Sequence, residues 1–415
     1  MLSYTLNMSV LINLLIFVLP LGVIFRITPI PNVSIYPLDF IAGLIFLYVL
    51  FQIVIRKEKI REKKLFIMVS LFLLVGFISL LINARHLTLQ TFLISFAYSL
   101  RYAAFASIIF AFQFLDQKFK ESINLKLIAA GTIFTFIGFI QYFYYPNLRN
   151  LYYLGWDEHL YRLFSTFLDP NFAGAFLVLF ILLLTENVIW SLKNRTNLIF
   201  FSILWVTTLI AILLTYSRSA FIMLIISMVA LLTIHKTFRI LSVLILLFVA
   251  LFFAFSNRNI EGLNPLRIAS VEARVDSARE AIEIFSKNPI IGVGFNAYRY
   301  AQVRYGFRTQ IGSLASNADA GTDNSYLFVL ATTGILGFVV FVLFWVNIIK
   351  IIIRKVRSGF YARVAFASIA GLLVNTIFIN SIFYPPIVAW IFILIGITLG
   401  LSNKPKNSNL RQKAA

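Results

Sequence analysis

Residues 56–82 read RKEKIREKKLFIMVSLFLLVGFISLLI, a basic link followed by 18 residues without a charge. Crossing a bilayer takes about 20 mostly apolar residues in one helix, and this run fits that demand. The pattern recurs along the chain, with apolar runs beginning near Met8, Ile35, Leu65, Phe92, Leu125, Phe172, Leu198, Ala220, Ile240, Tyr326, Ala362 and Pro386. Lipid offers no water to unpaired amides, and apolarity that is continuous rather than alternating selects helices over a closed barrel. Hydrophobic residues make up 60% and charged ones 13%, so a soluble core of this composition would have nothing to cover it. The expected fold is all-α and polytopic, with about twelve transmembrane helices. Nine of them are expected within 1–255 and three within 324–402, separated by a long polar loop over 256–323 and followed by a tail over 403–415.

The distribution of positive charge orients these spans. Links after the even-numbered spans, together with the tail, hold 22 of the 36 Lys and Arg residues. The opposite set holds 13, of which eight lie in the long polar loop. Long translocated loops are largely exempt from the positive-inside rule, so both termini are expected in the cytoplasm and the loop outside a plasma membrane. The net charge of +20 is then mainly an orientation signal. Nucleic-acid binding would need these cations gathered on one folded face, and they are scattered over separate links. No basic region precedes the first apolar run and no small-residue cleavage pattern follows it, so it reads as a retained helix. There are no cysteines, and His86, His159 and His235 are far apart, so thiolate chemistry is excluded and neither a metal site nor a cofactor is expected.

The polar loop holds a helical pattern over about Val271–Lys287. Val271, Val275, Ala278, Ile282 and Phe285 form one apolar stripe, with Glu272, Asp276, Glu280, Glu283 and Lys287 opposite. Pro289 stops the helix, and Gly292 and Gly294 form a turn too short and wrongly placed for a nucleotide loop. Arg279 has Asp276 and Glu283 at helical spacing, so an ordinary surface salt bridge accounts for it, although it stays among the candidate substrate-binding residues. Arg274 has no acid at those spacings. It sits at the border of the apolar stripe, where an anionic group or the lipid headgroup layer would meet it.

A second arginine without an acidic neighbour, Arg218, lies in Thr215-Tyr216-Ser217-Arg218-Ser219-Ala220. Ser219 is the expected N-cap of the eighth span, which sets the Arg218 cation at the positive end of a helix dipole. An anion would relieve that arrangement, whether a specific phosphate or a bulk phospholipid headgroup. Two further outer links carry polar clusters. One runs from Tyr161 and Arg162 to Asp169, Pro170 and Asn171; the other, Asp319 to Leu327, holds Asp323 and Asn324. Asp169, Asn171, Asp323 and Asn324 are also natural helix caps. Arg101, midway in the fourth span, costs about 2.5–3.5 kcal/mol on the insertion scale and must face the bundle interior or water.

Four of these segments together resemble the O-antigen ligase family, which includes Wzy-type polysaccharide polymerases. They are Arg162–Ala173; Tyr216–Ala220; Arg274–Ala278 running through Ala281 to Pro289, Gly292 and Gly294; and Asp323–Leu327 followed by Gly334 and Gly337. The resemblance implies a metal-independent membrane glycosyltransferase that takes glycan from a polyprenyl-diphosphate carrier at the outer face of the membrane. Arg218 and Arg274 would hold the diphosphate, and Ser219, Arg162, Asn171, Asn324 and Arg279 would complete the substrate site. The family's ligases usually carry a histidine immediately before the Asn of the last motif, as the base that takes the acceptor's proton. Asp323 stands there, and a buried carboxylate with a raised pKa can do that work. Asp is closer to the polymerase-type members, so the expected activity is polymerisation onto a lipid-linked sugar acceptor. Transfer of finished polymer to a lipid or protein is the alternative within the family, and a transporter or lipid flippase is the alternative outside it. The expected partners are the lipid-linked glycan, the bilayer and other polysaccharide assembly proteins.

Overall fold

The computed structural model describes residues 7–30, 33–154, 156–234, 268–308, 321–357 and 359–401. The chain is helical almost throughout: α1 (Met8–Val18), α2 (Pro37–Val54), α3 (Lys63–Ile82), α4 (Leu89–Ala111), α5 (Gln117–Tyr144), α6 (Pro170–Trp190), α7 (Arg195–Leu214) and α8 (Arg218–Leu232) precede α9 (Ile268–Lys287), α10 (Tyr298–Arg304), α11 (Ser325–Lys355), α12 (Phe360–Asn375) and α13 (Pro385–Gly400). The expected ninth span, from about Ile240, and the tail over 403–415 lie outside the described residues. Among the described residues the strands are a small antiparallel pair, β1 (Ile27–Ile30) and β2 (Val33–Ile35), with Ile27 opposite Ile35.

Among the described residues seven helices are long and apolar enough to cross a membrane: α2 to α7 and α11. The other apolar helices are shorter, over Met8–Leu21, Arg218–Leu232, Phe360–Asn375 and Pro385–Gly400. At 1.5 Å per residue the 15 residues of α8 reach about 23 Å, less than the ~30 Å hydrocarbon layer. Several expected spans are therefore helices that meet polar links before a full bilayer thickness is covered.

Contacts sort the links into two ends, as alternating spans require. At the basic end, the Arg61 amide donates to Gln113 Oε1 (3.0 Å), and Lys120 and Lys355 donate to the carbonyls of Gly400 and Thr398 (3.0 Å each). These lysines satisfy carbonyls at the C-terminus of α13 and offset its negative dipole end. At the other end, Val23 bonds Thr166 (3.0 Å), Leu163 bonds Leu214 (2.9 Å), Asn83 bonds Gly292 (2.9 Å) and Ser325 bonds Thr376 (2.9 Å). That second, polar end carries every described candidate residue.

The centre is built on α6 and α13, whose all-round apolarity follows from burial on every side. Phe134, Phe167, Phe176 and Trp390 interlock there, all fully buried. Near the basic end, Glu186 of α6 accepts two bonds from the Arg363 guanidinium, the Nε bond at 2.6 Å, and a third from Trp190 Nε1 at 3.2 Å. Arg363 thus serves as a buried partner rather than an orienting charge. A lone buried charge at either position would cost about 3–5 kcal/mol.

One break organises the polar end. At Gly334 (φ 63°, ψ −168°) α11 leaves helical geometry, in a region open essentially to glycine alone. The stretch after α9 closes the hydrogen bonds the break exposes: Ile335 donates to Pro289 (2.9 Å), Val293 to Ala331 (3.0 Å) and Gly294 to Thr332 (3.0 Å). Backbones touch directly, so a Cβ on Gly334 would collide with the Ile290 carbonyl and one on Gly292 with Thr332 and Thr333. Tyr326, before the break, lies 6.4 Å ring to ring from both Phe338 and Phe341, after it, so the two parts of α11 fold back beside each other.

Gly334→Ala should therefore lose about 2 kcal/mol or more of stability. Gly43→Ala, at a helical site with open space around it, should be neutral or gain up to about 1 kcal/mol. Thermal unfolding of both variants in detergent checks the contrast.

Candidate functional site

The starts of α6, α8 and α11 form the polar cluster. Asp169 caps α6, its Oδ1 accepting the amides of Asn171 (2.6 Å) and Phe172 (3.3 Å). Asn171 Oδ1 accepts Ser217 Oγ (3.0 Å) and Arg162 Nη2 (3.4 Å), which joins α6 to the turn before α8. Arg162 Nε donates to the carbonyl of Thr215 (2.9 Å), at the C-terminus of α7, where the helix dipole favours a cation. That use of Arg162 and Asn171 is architectural as well as local to the candidate site.

Ser217, not Ser219, caps α8. Ser217 is extended (φ −92°, ψ 106°) and accepts the Ala220 amide, so the helix starts at Arg218, two residues before the expected point. Ser219 is buried within the first turn, 3.1 Å from Ser217 Oγ. Arg218 is half-buried at the first helical position and has interactions within the protein, so its lack of an acidic sequence neighbour does not leave it unpartnered.

Helix α9 departs from its sequence pattern only on the polar side, which was expected in water: Glu280 of that side is half-buried. Of the apolar stripe, Val275 is 43% and Ile282 53% exposed, as a membrane-facing side would be, Ala278 and Phe285 are half-buried, and Ala281 and Ile284 beside them are fully buried. Polar partners set this orientation. Glu280 accepts from Arg308 (3.0 Å) and Gln302 (3.1 Å), and Ser277 Oγ donates to Thr322 Oγ1 (3.2 Å). An apolar stripe at a membrane surface loses nothing by facing away from the protein, whereas unpaired polar groups in the interface would.

The orientation brings the Arg274 edge of α9 to the start of α11. The Asp323 amide donates to Ser277 Oγ (3.4 Å), and Asn324 caps α11 by accepting the amides of Tyr326 (2.9 Å) and Leu327 (3.1 Å). Burial pushes the Asp323 carboxyl above its ordinary range; the Arg274 charge opposes that rise, and the Asp169 and Asp157 charges add to it. Among the described residues Arg274 makes neither a hydrogen bond nor a salt bridge, and Asp323 is the group its charge acts on. Asp323 thus feels charges from α9, from the cap of α6 and from the link before it.

The structure brings Arg162, Asn171, Arg218 and Ser219 together through Ser217. It brings Arg274, Asp323 and Asn324 together through Ser277, with Asp169 acting electrostatically between the two groups. Arg279 joins neither: its side chain is 77% exposed and pairs with Asp276 at 3.5 Å. Ser277 and Thr322 were not among the expected site residues, and no spacing rule links two positions 45 residues apart. Among the described residues no group of three or more His, Asp or Glu side chains is arranged to hold a metal ion.

Residues 203–342, about a third of the chain, match the Wzy_C family model, described as O-Antigen ligase. The match supports the family resemblance, and it spans Arg218, Arg274, Asp323 and the glycines at the α11 break, Gly292, Gly294 and Gly334. Arg162 and Asn171 lie outside it. No curated protein matches the chain. The chain is thus a polytopic helical membrane protein carrying an O-antigen ligase-type region.

Asp323 should titrate above the usual carboxylate range of about 4. Arg274→Ala should move its midpoint further up by removing the opposing cation, and Asp157→Asn should move it down. Infrared titration of the carboxyl band, with Asp323→Asn as the reference, checks both directions.

Proposed function

We propose that this protein is a membrane glycan polymerase working from a polyprenyl-diphosphate-linked donor at the outer face of the plasma membrane. Arg218 and Arg274 hold the donor's diphosphate, with Ser219 and the first-turn amides of α8 as further donors. Asp323 takes the proton from a hydroxyl of the incoming lipid-linked acceptor. The acceptor oxygen attacks the anomeric carbon, the bond from that carbon to the diphosphate oxygen breaks, and polyprenyl diphosphate leaves with the electron pair. Attack from the opposite face inverts the anomeric configuration. Fixed cations where charge develops on the leaving group, and both substrates held in line, supply much of the rate.

The observation that carries this reading is the pairing of a carboxyl raised by burial with a guanidinium that has no bonding partner among the described residues. A carboxyl whose proton affinity is raised by burial suits proton transfer, and a cation beside it with no bonding partner among the described residues suits an anionic substrate. The family match adds the reaction class. Asp323 in place of the usual histidine favours polymerisation over transfer to a lipid or protein acceptor. A transporter would need ionisable pairs in matching halves at mid-membrane. Among the described residues the two intramembrane pairs, Arg101–Asp39 and Arg363–Glu186, join different helices and have no such symmetry.

Arg218→Ala and Arg274→Ala should each lower kcat/KM for transfer by about 100-fold or more, and Arg279→Ala should stay within about threefold. The acid limb of the pH profile should move to higher pH in Arg274→Ala, because that variant's Asp323 holds its proton longer. Purified protein in detergent, given lipid-linked repeat units and read by polymer length on gels, checks all three. Wild-type lengths from Arg274→Ala would defeat the proposal.

A further inference from the structure

Arg101 lies twelve residues into α4, about 18 Å along the helix from its start at the polar end. Its fork closes on Asp39 in the first turn of α2, Nε to Oδ1 at 2.7 Å and Nη2 to Oδ2 at 2.8 Å. Asp39 Oδ2 also accepts the Tyr36 amide at 2.9 Å, which completes the start of α2. The Tyr36 and Tyr98 rings flank the guanidinium, with their centroids 5.2 and 5.4 Å from its central carbon.

Anchoring α2 to α4 would account for the ion pair, but three features go beyond that task. First, Nη1 of Arg101 and the hydroxyl of Tyr98 make no hydrogen bond among the described residues. Neither atom is among the fully buried polar atoms that lack a partner, so both stay open to a polar ligand. Second, the pair is not sealed: the side chains of Arg101 and Asp39 keep 19% and 12% exposure. Third, the cluster adjoins the candidate site. Tyr384, stacked on Phe172 of α6 at 4.1 Å, is within electrostatic reach of Asp169 and of Arg101.

The chemistry of the cluster selects its ligand. Arg101 is neutralised by Asp39, so the pair offers no net attraction to a diphosphate, unlike Arg274. What remains is a carboxylate that accepts, a guanidinium edge and a phenol that donate, and two aromatic rings. Sugar hydroxyls both donate and accept, and the C–H face of a pyranose packs on aromatic surface. We infer that Arg101, Asp39, Tyr36 and Tyr98 form a sugar-binding subsite that holds the acceptor glycan beside the Asp323 cluster. The word acceptor rests on the transfer reading above; the sugar specificity rests on the cluster alone.

Saturation-transfer NMR on the full-length protein in detergent tests it, with the methyl glycosides of glucose, galactose, mannose and N-acetylglucosamine as probes. Wild-type protein should transfer saturation to at least one glycoside. Arg101→Lys, which keeps a charge for Asp39 but loses the fork, and Tyr98→Ala should each cut that signal by about fivefold. Arg274→Ala should retain it. Thermal unfolding confirms that the variants are folded, and should Arg101→Lys fail to fold, Tyr98→Ala carries the test. Absence of transfer from the wild type, or an unchanged signal in folded Tyr98→Ala, overturns the subsite. Failure of the transfer reading looks different: glycoside binding would persist with its Tyr98 dependence while the purified protein made no polymer.

Discussion

A membrane interior supplies no water to a broken helix, so the break in α11 at Gly334 exists only because another piece of backbone completes it. Residues 289–294 do so, donating and accepting along both flanks of the break. The approach is close enough that Gly292 and Gly334 have no room for a side chain. This docking fixes where α9 ends, and through Ser277 and Thr322 it also fixes how α9 is rotated. The meeting of Arg274 with Asp323 is therefore a consequence of backbone satisfaction between two segments that lie apart in sequence, 289–294 and 331–336, not of any attraction between the two charges. A direct ion pair would have consumed both groups. A clamp built from glycines and hydroxyls holds them in electrostatic reach, and the guanidinium has no bonding partner among the described residues.

The two buried ion pairs show how differently the same chemistry is used at the two ends. Glu186 and Arg363 are deeply buried, and a tryptophan N–H adds to the acceptor side. Such a closed pair contributes little net stability over apolar residues but makes any other register of α6 against α12 prohibitive. Arg101 and Asp39 are joined as firmly, yet part of the guanidinium is left open among tyrosines. A purely structural tether has no use for that opening.

Continuous apolarity made the helices legible, because a bilayer imposes one pattern on every span whatever its neighbours. The alternation of basic and polar links was legible for the same reason, and the contacts at the two ends follow it. What stayed hidden depends on partners distant in sequence. Gly292 and Gly294 read as an isolated turn, and nothing local shows that they dock on Gly334. The stripe of Val275 and Ile282 read as membrane-facing with the polar side in water, and periodicity gives no sign that Glu280 of that side turns toward the protein. Near lipid the polar positions Ser277 and Glu280 decide the rotation instead. Ser219 had the same residue type as the true cap, Ser217, and the choice between them turned on Tyr216, whose positive φ of 48° ends the preceding turn one residue earlier.

The balance at Asp323 follows from these placements. Burial favours the neutral carboxyl, one cation opposes it, and two carboxylates, Asp169 and Asp157, reinforce it. Asp169 cannot be dispensed with, since it caps α6 and orders the Asn171–Ser217 bridge. The cap that builds one half of the cluster thereby also raises the proton affinity of the other half. An anionic substrate bound at Arg274 would screen the opposing cation and raise Asp323 further, strengthening it as a base at the moment a donor is present. Departure of the anion would reverse the effect and release the proton. Substrate charge and base strength are then coupled through one guanidinium, which is why that residue needs to be held near the carboxylate but not against it.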